Sequence, residues 1–284
     1  MDARRLVEQW GIRLSKGLGQ NLLTNQTALE KIVAAAELTT DDTVLEVGAG
    51  LGTLTERLAR HAGHVVAVEL DQRLMPALQN ILADFDNITL IQGDILTLDP
   101  AALISAANIQ HPTSSIQYKV VANLPYYITS AVLRHLLEAS LKPQCMVITV
   151  QREVAERIVA KPGQMSLLAV SVQFYGHPQL LFRIRPGSFY PSPEVESAVV
   201  RVDLRTTPPV PVEETTAFFR VVQAGFAQRR KQLRNSLAAG LGQSPDKVAS
   251  KLKQVGMDPR RRAQTLSLEE WARITHLGRR YGGP

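Results

Sequence analysis

The chain has 284 residues, an apolar fraction of 45% and a formal net charge of +6, which is enough length to bury a core and suits one large domain with a smaller one. Its only cysteine, Cys145, excludes an internal disulfide and a cysteine-rich metal site, and the six scattered histidines offer no third ligand beside His61 and His64, so no metal is expected. No apolar run reaches the roughly 18 to 20 residues of a membrane span, no signal-peptide core follows the N-terminus, and a cytoplasmic location is expected.

In chain order, residues 3–9 have the pattern of a short helix ending at Gly11. Residues 13–23 follow, with two glycines, two cations and an amide pair. Thr24 or Asn25 can cap a helix whose apolar positions Leu29, Ile32, Val33 and Ala36 recur at helical spacing. Strand and helix then alternate up to residue 150. Strands are predicted at 43–47, 65–69, 88–91, 119–122 and 145–150, with Cys145 a buried strand residue. Helices run through Leu54, Leu58 and Ala62, over Leu74, Leu78 and Leu82, and over residues 130–140. Such alternation implies right-handed crossovers and a parallel sheet. Residues 99–117, with the polar His-Pro-Thr-Ser-Ser tract, read as a helix plus an exposed loop.

Further helices are predicted at 152–160 and 165–174, and strands at 180–184 and 197–204. Thr206-Thr-Pro-Pro-Val-Pro is a stiff linker. The expected domains are therefore residues 1–206, an α/β doubly wound, mostly parallel sheet, and residues 207–284, a small helical domain. In the latter, Phe219, Val222, Phe226, Leu233 and Leu237 fall on one stripe of a long helix ending near Gly240. Ser244-Pro245 opens another helix, and Ser267-Leu-Glu-Glu270 is a capping box for the last. Residues 207–284 hold 14 Lys/Arg against 6 Asp/Glu, while the whole chain nets +6. The basic charge is thus concentrated in this part, which suggests a polyanionic partner, nucleic acid above all.

The most informative stretch is Val44-Leu-Glu-Val-Gly-Ala-Gly-Leu-Gly-Thr-Leu54. A buried strand ends in three glycines and a helix follows. Glycine lets the backbone turn sharply and lets a ligand approach, and the helix aims its first amides at that ligand. The dinucleotide fingerprint G-x-G-x-x-G is not met, because the third glycine comes one residue early and Thr53 stands in its place. Glu46 followed by G-x-G-x-G resembles the S-adenosylmethionine loop of class I methyltransferases. Ligands in such sheets bind outside the carboxyl ends of the strands. Those ends are Gly48, Glu69, Asp94 and Asn123. Glu69, about 20 residues past the loop, can accept from ribose hydroxyls, and Asp94 from an adenine amino group.

Asn123-Leu124-Pro125-Tyr126 follows the fourth strand. It resembles the Asn/Asp-x-Pro-aromatic tetrapeptide of enzymes that methylate amino groups on nucleobases. Adenine N6 is a poor nucleophile because its lone pair is delocalised into the ring. The Asn123 oxygen and the Leu124 carbonyl can both accept from that amino group and favour a more tetrahedral nitrogen. Pro125 stiffens the turn, and Tyr126 offers a face for the base.

With these pieces, the chain resembles the KsgA/Dim family of ribosomal RNA adenine dimethyltransferases over nearly its whole length. The resemblance is carried by Leu18-Gly-Gln-Asn-Leu-Leu23, Val47-Gly-Ala-Gly-Leu-Gly52, Val68-Glu-Leu-Asp71, Gln92-Gly-Asp94, Asn123-Leu-Pro-Tyr-Tyr-Ile128, Gln151-Arg-Glu-Val-Ala155 and Phe189-Tyr-Pro-Ser-Pro193. It continues through Ser197-Ala-Val-Val-Arg201, Phe226-Ala-Gln-Arg-Arg-Lys-Gln-Leu-Arg-Asn-Ser-Leu237 and Arg262-Ala-Gln-Thr-Leu-Ser-Leu-Glu-Glu-Trp271. It implies transfer of four methyl groups from S-adenosylmethionine to N6 of two adjacent adenines, in a hairpin near the 3′ end of small-subunit rRNA. It further implies a pre-30S particle as partner, and a monomer is expected. By this resemblance Asn21 and Leu23 would close over the cofactor within residues 13–24, joining Gly48, Glu69, Asp94 and Asn123. Phe189 would clamp the base opposite Tyr126. Arg229, Arg230, Lys231 and Arg234 would face rRNA phosphates, with a solvated helix face as the plainer reading. Leu22 stands where the family has an aromatic, and residues 161–167 are shorter than in the family. Two rival readings remain: a large-subunit rRNA methyltransferase of the macrolide-resistance type, and an assembly factor in which binding dominates.

Overall fold

The computed structural model describes residues 3–15, 17–107 and 117–279. The His-Pro-Thr-Ser-Ser tract lies outside the described residues. The chain divides into two compact units, residues 1–155 with 178–204 and residues 156–177 with 205–284.

The elements in order are α1 (Ala3–Gln9), β1 (Leu22–Leu23), α2 (Gln26–Ala35), β2 (Thr43–Val47), α3 (Thr55–Ala59), β3 (His64–Glu69), α4 (Met75–Ile81), β4 (Ile88–Gln92), α5 (Pro100–Ala107), β5 (Tyr118–Asn123), α6 (Thr129–Glu138) and β6 (Cys145–Gln151). Then come α7 (Arg152–Ile158), α8 (Leu167–Tyr175), β7 (Gly176–Ile184), β8 (Phe189–Tyr190) and β9 (Ser197–Leu204). The first unit is built on a seven-stranded sheet of order β4-β3-β2-β5-β6-β9-β7. The first five strands are parallel. Every residue of β2 and β3 is buried, as a parallel sheet covered on both faces requires. The chain leaves β2 toward β3 and β4, then returns to β5 on the other side of β2. That reversal is a topological switch point, where the carboxyl ends open a crevice.

The parallel pattern stops at β9, which pairs antiparallel with β6 and sets Ser197 opposite Gln151. Beside it, β7 starts at Gly176 and so extends four residues before the predicted 180–184 strand. Gly-His-Pro-Gln does not read as a strand, but β7 lies at the sheet edge, where a proline costs no ladder bond. A separate two-stranded sheet pairs β1 antiparallel with β8. Two-residue strands carry no periodicity to detect.

The second unit contains α8 with α9 (Thr215–Phe226), α10 (Leu233–Leu241), α11 (Pro245–Gln254) and α12 (Leu268–Arg279). The linear division expected at 206–207 fails for residues 156–177, which group with the helical unit. The reason is apolar packing: Phe174 of α8 sits 4.8 Å from Phe218 of α9, ring centre to ring centre, in one core with Trp271. The short 161–167 segment also belongs here, with the Gly163 and Met165 amides donating to the Gln264 carbonyl at 2.9 and 3.1 Å.

The long helix predicted through Leu237 is two helices, α9 and α10. Gln232 is extended, and the first amides of α10 bond elsewhere: Leu233 donates to the Arg261 carbonyl (2.6 Å) and Arg234 to that of Pro259 (3.2 Å). Those donors would otherwise be orphaned at a helix start. The capping box is present, Glu270 N–H donating to Ser267 Oγ (3.2 Å) and Ser267 N–H to Glu270 Oε2 (2.8 Å).

Close packing in this unit depends on small residues. A Cβ on Gly225 would lie 2.4 Å from Cη2 of Trp271, which is fully buried. Gly225→Ala is therefore expected to cost about 2 kcal/mol through overpacking, despite the better helix propensity of alanine. Thermal unfolding would register this as a lowered melting temperature. No described helix is long and apolar enough to cross a membrane.

Candidate active site

The crevice at the carboxyl ends of β2, β3, β4 and β5 opens to solvent, and its empty space, counted out to the mouth, is about 720 Å³. Its base is the glycine turn after β2. Gly50 has φ +61°, and a Cβ there would lie 2.7 Å from Leu22 Cδ2. Only glycine takes this left-handed conformation without strain and leaves room for the segment above it.

Glu69, at the end of β3, braces that turn. Its Oε2 accepts from the Gly50 amide (2.8 Å) and its Oε1 from the Asp71 amide (2.9 Å). Burial raises its pKa, and the two amides oppose the rise by stabilising the charged form. Asp71 in turn accepts from Arg73 Nε and Nη2 (2.8 and 2.6 Å) and from Gln20 Nε2 (2.9 Å). The Arg73 guanidinium, with help from Gln20, holds the Asp71 carboxyl down at about 2. Gln20 also accepts from the Ser15 amide (2.6 Å), which ties Ser15 to the crevice lining. Asp94 lies at the end of β4 with one oxygen accepting from the Leu96 amide (3.0 Å).

Opposite, β5 delivers Asn123. Its Nδ2 donates to the Asn21 carbonyl at 2.9 Å. Its Oδ1 is buried and has no hydrogen-bond partner. A buried acceptor left open costs about 1–3 kcal/mol, so this atom is poised for a donor from outside the protein. The Leu124 amide donates to the Thr149 carbonyl (3.1 Å), continuing the ladder with β6 past the last strand residue. Pro125, in extended geometry, leads into a turn over Tyr126–Ile128, closed by Ile128 N–H donating to the Pro125 carbonyl (3.3 Å). Leu124, Pro125 and Tyr126 all line the crevice. The Tyr126 hydroxyl is tied to Ser197 Oγ at 2.6 Å.

The lining carries the Glu69 and Asp94 carboxylates and, among the described residues, no Lys, Arg or His. An acidic, cation-free crevice suits a positively charged ligand and disfavours the pyrophosphate of a dinucleotide.

A profile of the family described as ribosomal RNA adenine dimethylase matches residues 12–277. The chain belongs to the ribosomal RNA adenine dimethylase family. It is 48% identical over 273 residues to the ribosomal RNA small subunit methyltransferase A of Dehalococcoides mccartyi, covering 96% of this chain and 91% of that one. The namesake in Moorella thermoacetica is 44% identical over 276 residues, covering 95% and 94%. Among solved structures, the 23S rRNA methyltransferase ErmE superposes with a TM-score of 0.71 at 27% identity, over 90% of this chain and 99% of that one. A dimethyladenosine transferase from Plasmodium falciparum shares the fold, with a TM-score of 0.76 at 21% identity over 91% and 98%. The α/β methyltransferase fold expected from the sequence is the fold observed.

Of the residues expected in a dimethylase site, the crevice gathers Asn21, Gly48, Glu69, Asp94 and Asn123 with the Leu-Pro-Tyr that follows. Two are placed elsewhere. Leu23 and Phe189 are 2% and 1% exposed, face each other across the β1–β8 pair and pack in the core. Neither lines the crevice. Antiparallel pairing fixes their register, and side chains alternate along a strand, so it is Leu22 whose side chain lies over Gly50.

Four residues receive no site role from the motifs. Gln20 and Asp71 sit in the quoted motifs, but their bond spans 51 residues. Glu46 is 1% exposed in β2, and its Oε2 has no partner. Burial pushes its pKa up to about 8; the Thr55 hydroxyl opposes the shift and the nearby Glu69 adds to it. Tyr127, 56% exposed, packs beside Gly19 at the crevice mouth.

In the helical unit, Arg229, Arg230 and Lys231 are exposed in the turn between α9 and α10, not on a helix face. Arg234, in the first turn of α10, is half-buried with Nε unpartnered.

Proposed function

We propose that this chain transfers methyl groups from S-adenosylmethionine to N6 of two adjacent adenines in the hairpin near the 3′ end of small-subunit rRNA, within a pre-30S particle in the cytoplasm. The observation that carries this reading is the open, buried Oδ1 of Asn123 beside Pro125 and Tyr126. The greater identity to small-subunit methyltransferases than to ErmE favours the small-subunit target over the large-subunit rival.

The crevice fits the cofactor on its own chemistry. Glu69 would take the ribose hydroxyls with the lone pairs left by Gly50 and Asp71, and Asp94 would take the adenine amino group. Asn21, Gly48 and Gln20 would close the remaining sides. Bound there, S-adenosylmethionine supplies an electrophilic sulfonium methyl group. The carboxylates of the lining, with no cation among its described residues, favour that positive charge.

On the substrate side, Asn123 Oδ1 and the Leu124 carbonyl would accept hydrogen bonds from the two N6 hydrogens in the first transfer, and one of them from the single hydrogen left for the second. The nitrogen lone pair is thereby drawn out of ring conjugation. Tyr126 would stack on the flipped base. The acceptors are held before the base arrives, Asn123 by Asn21 and Leu124 by Thr149, so little reorganisation accompanies the reaction. No strong base is needed, because the nitrogen proton becomes acidic once the methyl is attached. The Arg229-Arg-Lys231 turn and Arg234 would contact rRNA phosphates.

The direct test is nucleoside mass spectrometry after incubating undermethylated small subunits, and large subunits in parallel, with the protein and S-adenosylmethionine. N6,N6-Dimethyladenosine in the small subunit is the expected product. Product confined to large-subunit RNA would move the assignment to the resistance type. Binding without product in either would favour the assembly-factor reading.

Replacing Arg230, Lys231 and Arg234 together is expected to weaken subunit binding and lower the slope of log affinity against log salt by about 2. Cofactor affinity should stay within about 2-fold. Binding titrations at several salt concentrations would separate this from a structural role, which would lower both affinities alike.

A further inference from the structure

We propose that Ser197 is a positioning residue for methyl transfer: by bonding the Tyr126 hydroxyl it sets the plane on which the target base stacks. The proposal rests on the reading of Tyr126 as that stacking surface.

Tyr126 is held at both ends. Its backbone begins the tight turn after Pro125, whose carbonyl accepts from Ile128 N–H and from Thr129 Oγ1 (3.2 Å). Its phenolic oxygen lies 2.6 Å from Ser197 Oγ. A tyrosine ring has two side-chain torsions, and anchoring both ends removes the swing about the first. Without the far anchor the ring could rotate away from the face offered to the base.

Ser197 is suited to bear this load. It is fully buried at the start of β9, opposite Gln151 at the carboxyl end of β6. Ala198, Val199 and Val200 follow it, all buried. A hydroxyl in such a setting is costly unless bonded, and Tyr126 supplies the bond. Its backbone is fixed from both sides: β6 pairs with Ser197 itself, and Arg152 holds Glu196 through its amide (2.9 Å, to the Glu196 carbonyl) and its guanidinium (2.8 Å, to Oε2). Burial also raises the Tyr126 pKa, so the phenol keeps its proton for the bond. The antiparallel strand, which lies outside the parallel half of the sheet, thus forms a rigid wall behind the aromatic ring.

The test compares Ser197→Ala, Tyr126→Phe, the double variant, Ser197→Thr and Tyr126→Ala on undermethylated small subunits, with kcat and KM, cofactor affinity and thermal unfolding measured for each. Losing one hydrogen bond should lower kcat about 10-fold in either single variant. The double variant should lose no more than either single one, because both remove the same interaction. Cofactor affinity should be unchanged, and Ser197→Thr should restore most of the rate. Additive losses in the double variant, or a Ser197→Ala protein with normal kcat and lowered stability, would overturn the proposal. Should Ser197→Ala fail to fold, Tyr126→Phe removes the same bond from the other side, and a normal kcat there overturns it equally. A normal rate in Tyr126→Ala would instead remove the stacking reading on which the proposal rests.

Discussion

Asn123→Ala should lower methyl transfer to small-subunit rRNA by about 10²- to 10³-fold, the scale seen when one preorganised polar group is removed from an active site. The loss should fall on kcat, because Nδ2, donating to the Asn21 carbonyl, holds the open Oδ1 in place before any substrate binds. Asn123→Asp keeps an acceptor but loses the donor to Asn21 and places a negative charge against that carbonyl. It should therefore recover only part of the rate and bind cofactor less firmly. Single-turnover methylation, read by nucleoside mass spectrometry, separates chemistry from binding. A wild-type single-turnover rate in Asn123→Ala would show that the nitrogen is not activated by this side chain.

Glu46→Gln should stabilise the protein, and increasingly so as pH rises. The Glu46 carboxyl has a pKa of about 8 in the folded chain, against about 4.3 for an unhindered glutamate. Between those values the folded state holds a proton that the unfolded state has released, so stability falls with rising pH by about 1.4 kcal/mol per unit. The contribution is intact below about pH 4 and is lost by about pH 8. Glutamine has the shape of the protonated acid and no charge to lose. At pH 7 the variant should be more stable by about 4 kcal/mol, and near pH 4.5 the two should nearly match. Denaturant titrations across this range would measure the difference. Parallel profiles would mean that Glu46 is ionised in the fold.

Much of the site was legible because its parts are local. The β2 strand, its glycine turn and the next helix occupy consecutive residues, and hydrophobic period and glycine spacing mark them without reference to the rest of the chain. The strand-end rule then aligned Glu69, Asp94 and Asn123, because parallel pairing in register brings successive carboxyl ends to one edge. The Asn-Leu-Pro-Tyr tetrapeptide carries its chemistry in four adjacent residues. The capping box at Ser267 and Glu270 was legible for the same reason.

What remained hidden was set by partners distant in sequence. The stripe from Phe219 to Leu237 obeys a helical period, yet the helix stops at Phe226 and restarts at Leu233, where carbonyls near residue 260 take the first amides of α10. Leu23 and Phe189 sit in motifs but turn into the core, since their register is chosen by a strand pair formed across more than 160 residues. Residues 156–177 join the helical unit through Phe174, an apolar contact that no local pattern announces.

The sequence alone therefore determined the family, the doubly wound fold, the glycine turn and the Asn-Leu-Pro-Tyr tetrapeptide at the crevice, because each is written in short-range spacing of residue types. The tertiary structure alone decided that Gln20 bonds Asp71, that Glu46 is buried without a partner for one oxygen, that Ser197 anchors Tyr126, and which of the expected residues reach the crevice. Those outcomes depend on register and burial, which arise only when strands from distant parts of the chain are paired and water is excluded between them.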